Sequence, residues 1–477
     1  MKKINISKNV KVKKLIILCI ILFSFSIITV FLNHYEQKSE EIRNSNEIVL
    51  KVDSSSVETI SWEYNDEKFS FYKEDEKWIY DNDNTFPVDS SKIESILSNF
   101  EEFGVSFIIE NVEDYKQYGL DNPECIIKIK TSDKEYQILV GDFSKMDEQR
   151  YVDIGDGNVY LVSKDPTDYL STDLKNIILN DKIDNVENVT KIKFSGDYNY
   201  EINYEENSKN SYSKDDVYFT KKNSEVIPLD TSKVNSYIDT ITSLDLSEYV
   251  TYNVSEKLLK EYNLDDPKLS ITLDYNYVDE NKKTQTGAVT IHIGYNQSEW
   301  KKAQKAEEKN SDDIPSVTKY IRIGDSKIIY KIDDTTYDEL IESSQNSLRH
   351  SKVVWMNMGD VTKIDVTLEG NTHTFTPKEN KNETVWYYNK NKISIDSFES
   401  TLKNLNVSSF TSAQASDKEE ISLSIYLNND NFSKIDLKIY RYDGKKCLVV
   451  LNGESYAYIT RSNVTDLIES VQAVVLD

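Results

Sequence analysis

Three signatures recur in this chain, each three times and in the same order, which restricts the fold to one module used in tandem. The opening strand reads "VETISWEY" (57–64), "VTKIKFSG" (189–196) and "VTKIDVTLEG" (361–370). A helix start follows as "FPVDSSKIESILSNF" (86–100), "IPLDTSKVNSYIDTI" (227–241) and "ISIDSFESTLKNL" (393–405). Asp89, Asp230 and Asp396 stand where an N-cap acceptor belongs, ahead of apolar residues at helical spacing such as Ile93, Ile96, Leu97 and Phe100. Each copy closes on "VYLVSKDPTDYL" (159–170), "IYKIDDTTYDEL" (329–340) or "AYITRSNVTDLI" (457–468), which align without a gap. These carry Tyr160, Tyr330 or Tyr458 on a strand, then Leu170, Leu340 or Ile468 on a helix. A period this long describes tandem domains rather than a short-repeat solenoid.

The repeats are expected at 57–185, 189–352 and 361–477, the third divergent. Strands predominate and short turns join them, as in "ECIIKIK", "EYQILVGD", "RYVDIG" and "NVYLV" of the first copy. The reading is an α+β fold of mainly antiparallel sheet with short helices.

A fourth signature occurs twice, as "DYKQYGLDNP" (114–123) and "LKEYNLDDP" (259–267). Gly119 suits the left-handed residue that ends a helix, and Asn263, in the same slot, is the next residue type to tolerate that conformation. Leu120 and Leu264 can fold back on the last turn, while Pro123 and Pro267 forbid its continuation. Asp121 and Asp265 are expected as turn hydrogen-bond acceptors. Tyr118 and Tyr262 complete the set, read as fold determinants rather than reactive groups. The third copy, "SAQASDKEEISLSIYL", lacks the motif.

Six lysines, Lys2, Lys3, Lys8, Lys11, Lys13 and Lys14, precede an uncharged run from Leu15 to Asn33. Its length approaches that needed to cross about 30 Å of hydrocarbon. The reading is a basic cytoplasmic head (1–14), a transmembrane helix (15–33), a linker (36–56) and all later residues outside the cell membrane. A cleaved signal at Ser24-Phe25-Ser26 is the competing reading, set against by the apolar residues Ile27 to Leu32 beyond it. After residue 33 the chain carries 51 basic and 82 acidic groups, which excludes nucleic acid as a partner.

No metal, cofactor or catalytic constellation emerges. His34, His292, His350 and His373 are scattered, and the usual nucleophile-elbow, phosphate-loop and dinucleotide motifs are missing. "DNDN" (81–84) and "DIGDGN" (153–158) read as hairpin turns rather than calcium loops. Cys19, Cys125 and Cys447 make no disulfide framework and read as buried apolar residues. The 32 tyrosines, with runs such as "WYYNKNK" and "YNYEINY", suit strands and could stack on sugars or peptides.

The N-terminal anchor, Trp78 with "PVDSSKI", "YGLDNP", "ILVGD" and "VYLV" before a helix together resemble the family known as domain of unknown function 4340. The resemblance covers most of 57–180, recurs more weakly over 189–345 and is faint after 361. It implies an extracytoplasmic, membrane-tethered companion of ABC-type exporters, related to the gliding-motility auxiliary component, and it assigns no catalytic residue. Residues 298–317, charged and read as solvated, are an insertion against the first repeat. The expectation is therefore a non-enzymatic accessory protein, single-pass in the cell membrane, that binds a membrane partner such as an ABC transporter permease. Alternatives are a binder of cell-envelope glycan or peptide, and a hydrolase with an unrecognised carboxylate pair.

Overall fold

The computed structural model describes residue 14, residues 17–29 and residues 41–476 apart from 184–185, 223–224, 310–312, 343, 381–382 and 416–417. Alternating apolar residues along the strands give three nine-stranded sheets in which every ladder among the described residues is antiparallel. The protein is accordingly α+β, mainly antiparallel sheet with short helices. Two compact units divide the chain: residues 1–180 hold the first sheet, and residues 181–477 hold the second and third.

Eight strands follow the same spatial order in every sheet. At the centre the opening strand pairs with the strand beyond the middle connection: Val57–Tyr64 with Cys125–Thr131, Asn188–Gly196 with Leu269–Val278, and Val361–Leu368 with Glu419–Leu427. Hairpin strands extend from the opening strand to one side, and the later meander extends to the other. The far end of that meander is a short strand from after the helix: Phe107–Glu110, Tyr249–Thr251 or Ser409–Phe410. The ninth strand differs. In the first sheet it is Glu41–Asn44, paired with Phe107–Glu110; in the others it is an extra hairpin strand, Glu225–Pro228 or Asn391–Ile393. Of the stretch expected as a linker, 36–56, residues 41–56 are described and are built into the first unit: Glu41–Asn44 takes the open edge at Phe107–Glu110, and Ile48–Leu50 pairs with Phe103–Gly104 in a separate two-stranded sheet.

The central pairing carries one irregularity three times. Its register shifts between Val57 and Thr59, between Val189 and Lys191, and between Val361 and Lys363. A bulge places two residues opposite one and sharpens the local twist. Beyond it the inward positions are apolar in each copy: Ile60 and Trp62, Ile192 and Phe194, Ile364 and Val366 are all buried. Each such side chain contributes about 1.5–3 kcal/mol on leaving water.

Helices cover these faces. Ser90–Ser98 buries Ile93, Ile96 and Leu97, and the Asp89 carboxylate accepts from the Ser91 amide. Thr231–Thr242 buries Val234, Tyr237, Ile238 and Ile241, and Asp230 accepts from the Ser232 and Lys233 amides. In the third copy the helix is Asp396–Lys403 and Asp396 is its first residue, not its cap. Ile395 holds the cap position without a side-chain bond, and the Ser394 hydroxyl donates to Asp396 Oδ2 at 2.9 Å. The closing helices are Thr167–Leu170, Asp334–Ile341 and Arg461–Leu476, with Leu170 and Leu340 fully buried. In the longer third helix Leu467 is fully buried and Ile468 only partly.

The 298–317 insertion is largely a helix, Gln297–Glu308, capped by Asn296 and burying only Ala303. Residues 17–29 are helical, with their large apolar side chains exposed. No described helix is long and apolar enough to cross a membrane. Residues 1–13, 15–16 and 30–40, including His34 and both ends of the expected span, lie outside the described residues.

Candidate binding site

The signature shared by 114–123 and 259–267 closes a turn. Tyr115–Tyr118 is a 3-10 helix and Gly119 follows it at φ 70°. The Gly119 amide donates to the Lys116 carbonyl at 3.1 Å and the Leu120 amide to the Tyr115 carbonyl at 3.1 Å. In the second copy Glu256–Glu261 is an α-helix, Asn263 takes φ 55°, and the Leu264 amide reaches the Leu259 carbonyl at 2.8 Å. This double bond pattern is the Schellman termination, which needs a left-handed residue. Asp121 and Asp265 are exposed, and neither carboxylate accepts a turn bond among the described residues. The acceptors lie at the other end of the helix: Asp114 takes the Lys116 amide and Ser255 the Leu258 amide.

The turn then docks on a strand. Tyr118 and Leu120 are buried with Ile109, Val159 and Leu161, and Tyr262 and Leu264 with Val254, Tyr320 and Ile329. Tyr118 packs on Tyr151 at 4.9 Å and Tyr262 on Tyr320 at 4.1 Å. Beneath the turns run Gly141 and Gly294, where an added Cβ would stand 2.2 Å from the Tyr118 or Tyr262 carbonyl oxygen. Only glycine lets the two backbones approach so closely. Strand register puts Val140 opposite Cys125, Ile293 opposite Leu269 and Ile439 opposite Ile421. The third-copy equivalent of the two glycines is therefore Tyr440, in the one repeat that has lost the turn. The shared letters serve backbone packing.

The polar residues singled out in the sequence are dispersed and locally occupied. His292 Nδ1 meets the Ser270 hydroxyl at 2.8 Å, and His373 Nδ1 meets the Tyr388 hydroxyl at 2.8 Å. In the two acidic turns Asp83 accepts from the Thr85 amide, Asp153 from the Gly155 amide and Asp156 from the Asn158 amide. No group of three His, Cys, Asp or Glu among the described residues is placed to hold a metal. Cys125 and Cys447 are buried and free, and burial pushes their thiols up to about 12 and about 11. In the two tyrosine-rich runs, Tyr200 stacks on Phe194 at 4.4 Å and Trp386 belongs to the third-repeat core.

One concave feature stands apart. A cleft of about 490 Å³ opens within the second unit, between residues of the second and third repeats. The edge strand Glu225–Pro228 contributes four consecutive lining residues, and Phe410, Thr411 and Ser412 contribute three. Arg349 lines it at only 8 % exposure, its guanidinium carbon 3.8 Å from the Phe410 ring centre and 4.8 Å from that of Tyr456. Its Nη1 reaches Asn346 Oδ1 only at 3.5 Å, its Nε has no acceptor, and no carboxylate among the described residues pairs with it. Burial lowers its pKa, opposed by the charge and hydrogen bond of the Tyr456 hydroxyl and by the charge of Glu225, yet an arginine stays charged. The carboxylate that acts on this cation, Glu225, is exposed and makes no ion pair with it among the described residues, so its charge is incompletely compensated and a ligand anion would be favoured there.

A second polar cluster borders the cleft and fastens its walls. Asp216, 3 % exposed, meets His350 Nε2 at 2.9 Å, accepts from Trp355 Nε1 at 2.9 Å and accepts from the Ser211 hydroxyl. His350 stacks on Trp355 at 3.9 Å, and the Trp355 amide donates to the Tyr212 hydroxyl at 3.3 Å. A carboxylate, not an imidazole, accepts from Ser211, so the trio lacks the hydroxyl-to-imidazole transfer of nucleophilic catalysis. Sequence reasoning passed over Arg349, Asp216 and Trp355. The one signal for Arg349 and Trp355 is "SLRHSKVVW" (347–355), a stretch rich in side-chain donors between two repeats, and Asp216 has none.

These features define a tandem antiparallel-sheet protein with an arginine-bearing cleft. The chain belongs to the family described as domain of unknown function DUF4340, whose model matches residues 78–225 and again 220–424. Both matches begin in the same hairpin strand of successive sheets, Lys77–Tyr80 and Tyr218–Lys222. No curated protein and no solved structure matches the chain.

Proposed function

We propose that this protein is a non-enzymatic, membrane-tethered accessory protein that holds its three sheets on the extracytoplasmic side and binds an ABC-type transporter permease. The observation that carries the proposal is the helix at 17–29, whose large apolar side chains are 48–70 % exposed and which follows six lysines. Such a surface is costly in water and stable in lipid, and basic residues favour the cytoplasmic side. The acidic excess after residue 33 sets the sheets against nucleic acid and against docking on anionic lipid. Tandem modules offer extended surface to a large partner, and the family resemblance points to exporters.

Extraction of native membranes in mild detergent, followed by capture of the full chain, tests this. A permease should co-purify in stoichiometric amount. Recovery of the chain alone from membranes that contain it would overturn the transporter assignment.

A further inference from the structure

We infer that the cleft around Arg349 captures the free C-terminal carboxylate of an extended peptide. Three independent features converge on that chemistry. The first is charge: Arg349 is buried, its charge is met only by the Tyr456 hydroxyl and the exposed Glu225 without an ion pair among the described residues, and a guanidinium matches a carboxylate in a planar, two-point pair. The ring faces of Phe410 and Tyr456 hold the guanidinium, so its orientation is set before a ligand arrives.

The second is backbone. Glu225–Pro228 is the outermost strand of the second sheet, and Ser409–Phe410 is the outermost strand of the third. Among the described residues each pairs on one side only, with Tyr218–Lys222 and Glu454–Thr460 respectively. Residues of both edges line this cleft, so main-chain donors and acceptors are available where a ligand strand would lie. Addition of a strand to an open edge is a general mode of peptide recognition.

The third is composition. Asn346, Asn452, Ser412 and Ser455 add amides and hydroxyls that suit peptide groups. Sugar stacking is less favoured, because the aromatic faces are engaged: Trp355 with His350 and Tyr212, Tyr456 with Phe410 and Arg349. Lys222 and the carboxylates Glu225 and Glu454 stand on exposed backbone positions around it, so Arg349 is the buried charge that can select an anion. The inference stands apart from the transporter reading and needs no permease.

The test uses the full chain in detergent and two pools of N-terminally fluorescent, randomised hexapeptides, identical except for a C-terminal acid or amide. Fluorescence polarisation should show the acid pool binding roughly tenfold or more tightly, since the amide leaves the guanidinium unpaired. Arg349→Gln should remove that preference. If Arg349→Gln does not fold, the acid-to-amide comparison on the unaltered chain still decides. Equal binding of the two pools, no binding of either, or a preference that survives Arg349→Gln would overturn the inference. Displacement-free binding of glucuronate with no peptide binding would overturn the peptide assignment.

Discussion

Gly141→Ala places the whole account of the repeated turn under load. The added Cβ would stand 2.2 Å from the Tyr118 carbonyl oxygen and 3.0 Å from Leu120 Cγ, whereas ordinary contact begins at 3.4 Å. The neighbour at the shortest distance is backbone, so a rotamer change gives no relief. The turn must retreat by about 1 Å, which is enough to loosen Leu120 and Tyr118 in their shared cluster. Overpacking of this kind costs about 1–3 kcal/mol, and partial loss of two buried side chains adds about 1 kcal/mol. A loss of about 2–4 kcal/mol lowers the melting temperature of a unit this size by roughly 5–10 °C. Calorimetry on the full chain should show that shift in one transition, and hydrogen exchange should rise across 115–124. Tyr440→Gly, at the equivalent strand position with no turn above it, is the control and should cost only about 1 kcal/mol. An unshifted transition for Gly141→Ala, or an equal loss for Tyr440→Gly, would refute the docking argument.

Other consequences are measurable. Gly119→Val puts a branched residue at φ 70° and a Cβ 2.5 Å from an Asp142 carboxylate oxygen; it should cost about 1–2 kcal/mol or more, and Gly119→Asn less, as read by thermal melting. With Cys19 replaced by serine, no thiol should react with a disulfide reagent at pH 8 until the chain unfolds. The thiols of Cys125 and Cys447, raised by burial to about 12 and about 11, stay protonated there, and only thiolate attacks. His292 is held below its ordinary 6.5, first by burial and then by Arg322. The unfolded chain therefore binds the extra proton, so its contribution is intact above pH 6.5 and falls as the pH drops below it. Melting temperatures at pH 7.5 and 5.5 should differ less in His292→Gln than in the unaltered chain.

What the sequence disclosed and what it hid divide by range. The left-handed slot at Gly119 and Asn263 is set by neighbours within one turn, as are the caps at Asp89 and Asp230. Alternating apolar residues likewise announced antiparallel sheet. Asp396 misled because a shift of one residue changes a cap into a first helical residue, and such boundaries are weakly encoded. The role of Gly141 depends on a turn that comes from residues 115–120, so "ILVGD" alone gives no reason for its glycine. Glu41–Asn44 becomes a strand because an edge is open at Phe107–Glu110, a fact absent from its own composition. Arg349 meets Phe410 and Tyr456 only through folding, and a lone arginine between repeats carries no motif.

The central claim is that one module, with one strand order and one register, occurs three times. Cross-linking tests it most directly, with cysteine pairs introduced at 128 and 137, at 272 and 290, and at 424 and 436 in a Cys19→Ser chain. Lys128 faces Gln137, Thr272 faces Thr290 and Ser424 faces Asp436, each three residues along from the equivalent sites Cys125, Leu269 and Ile421. Facing residues of antiparallel strands lie about 4.5–5.5 Å apart and can be bridged under mild oxidation. All three pairs should close, each far faster than the same pair moved one residue along one strand. Closure in one or two repeats, or faster closure of a shifted pair, would contradict a common module.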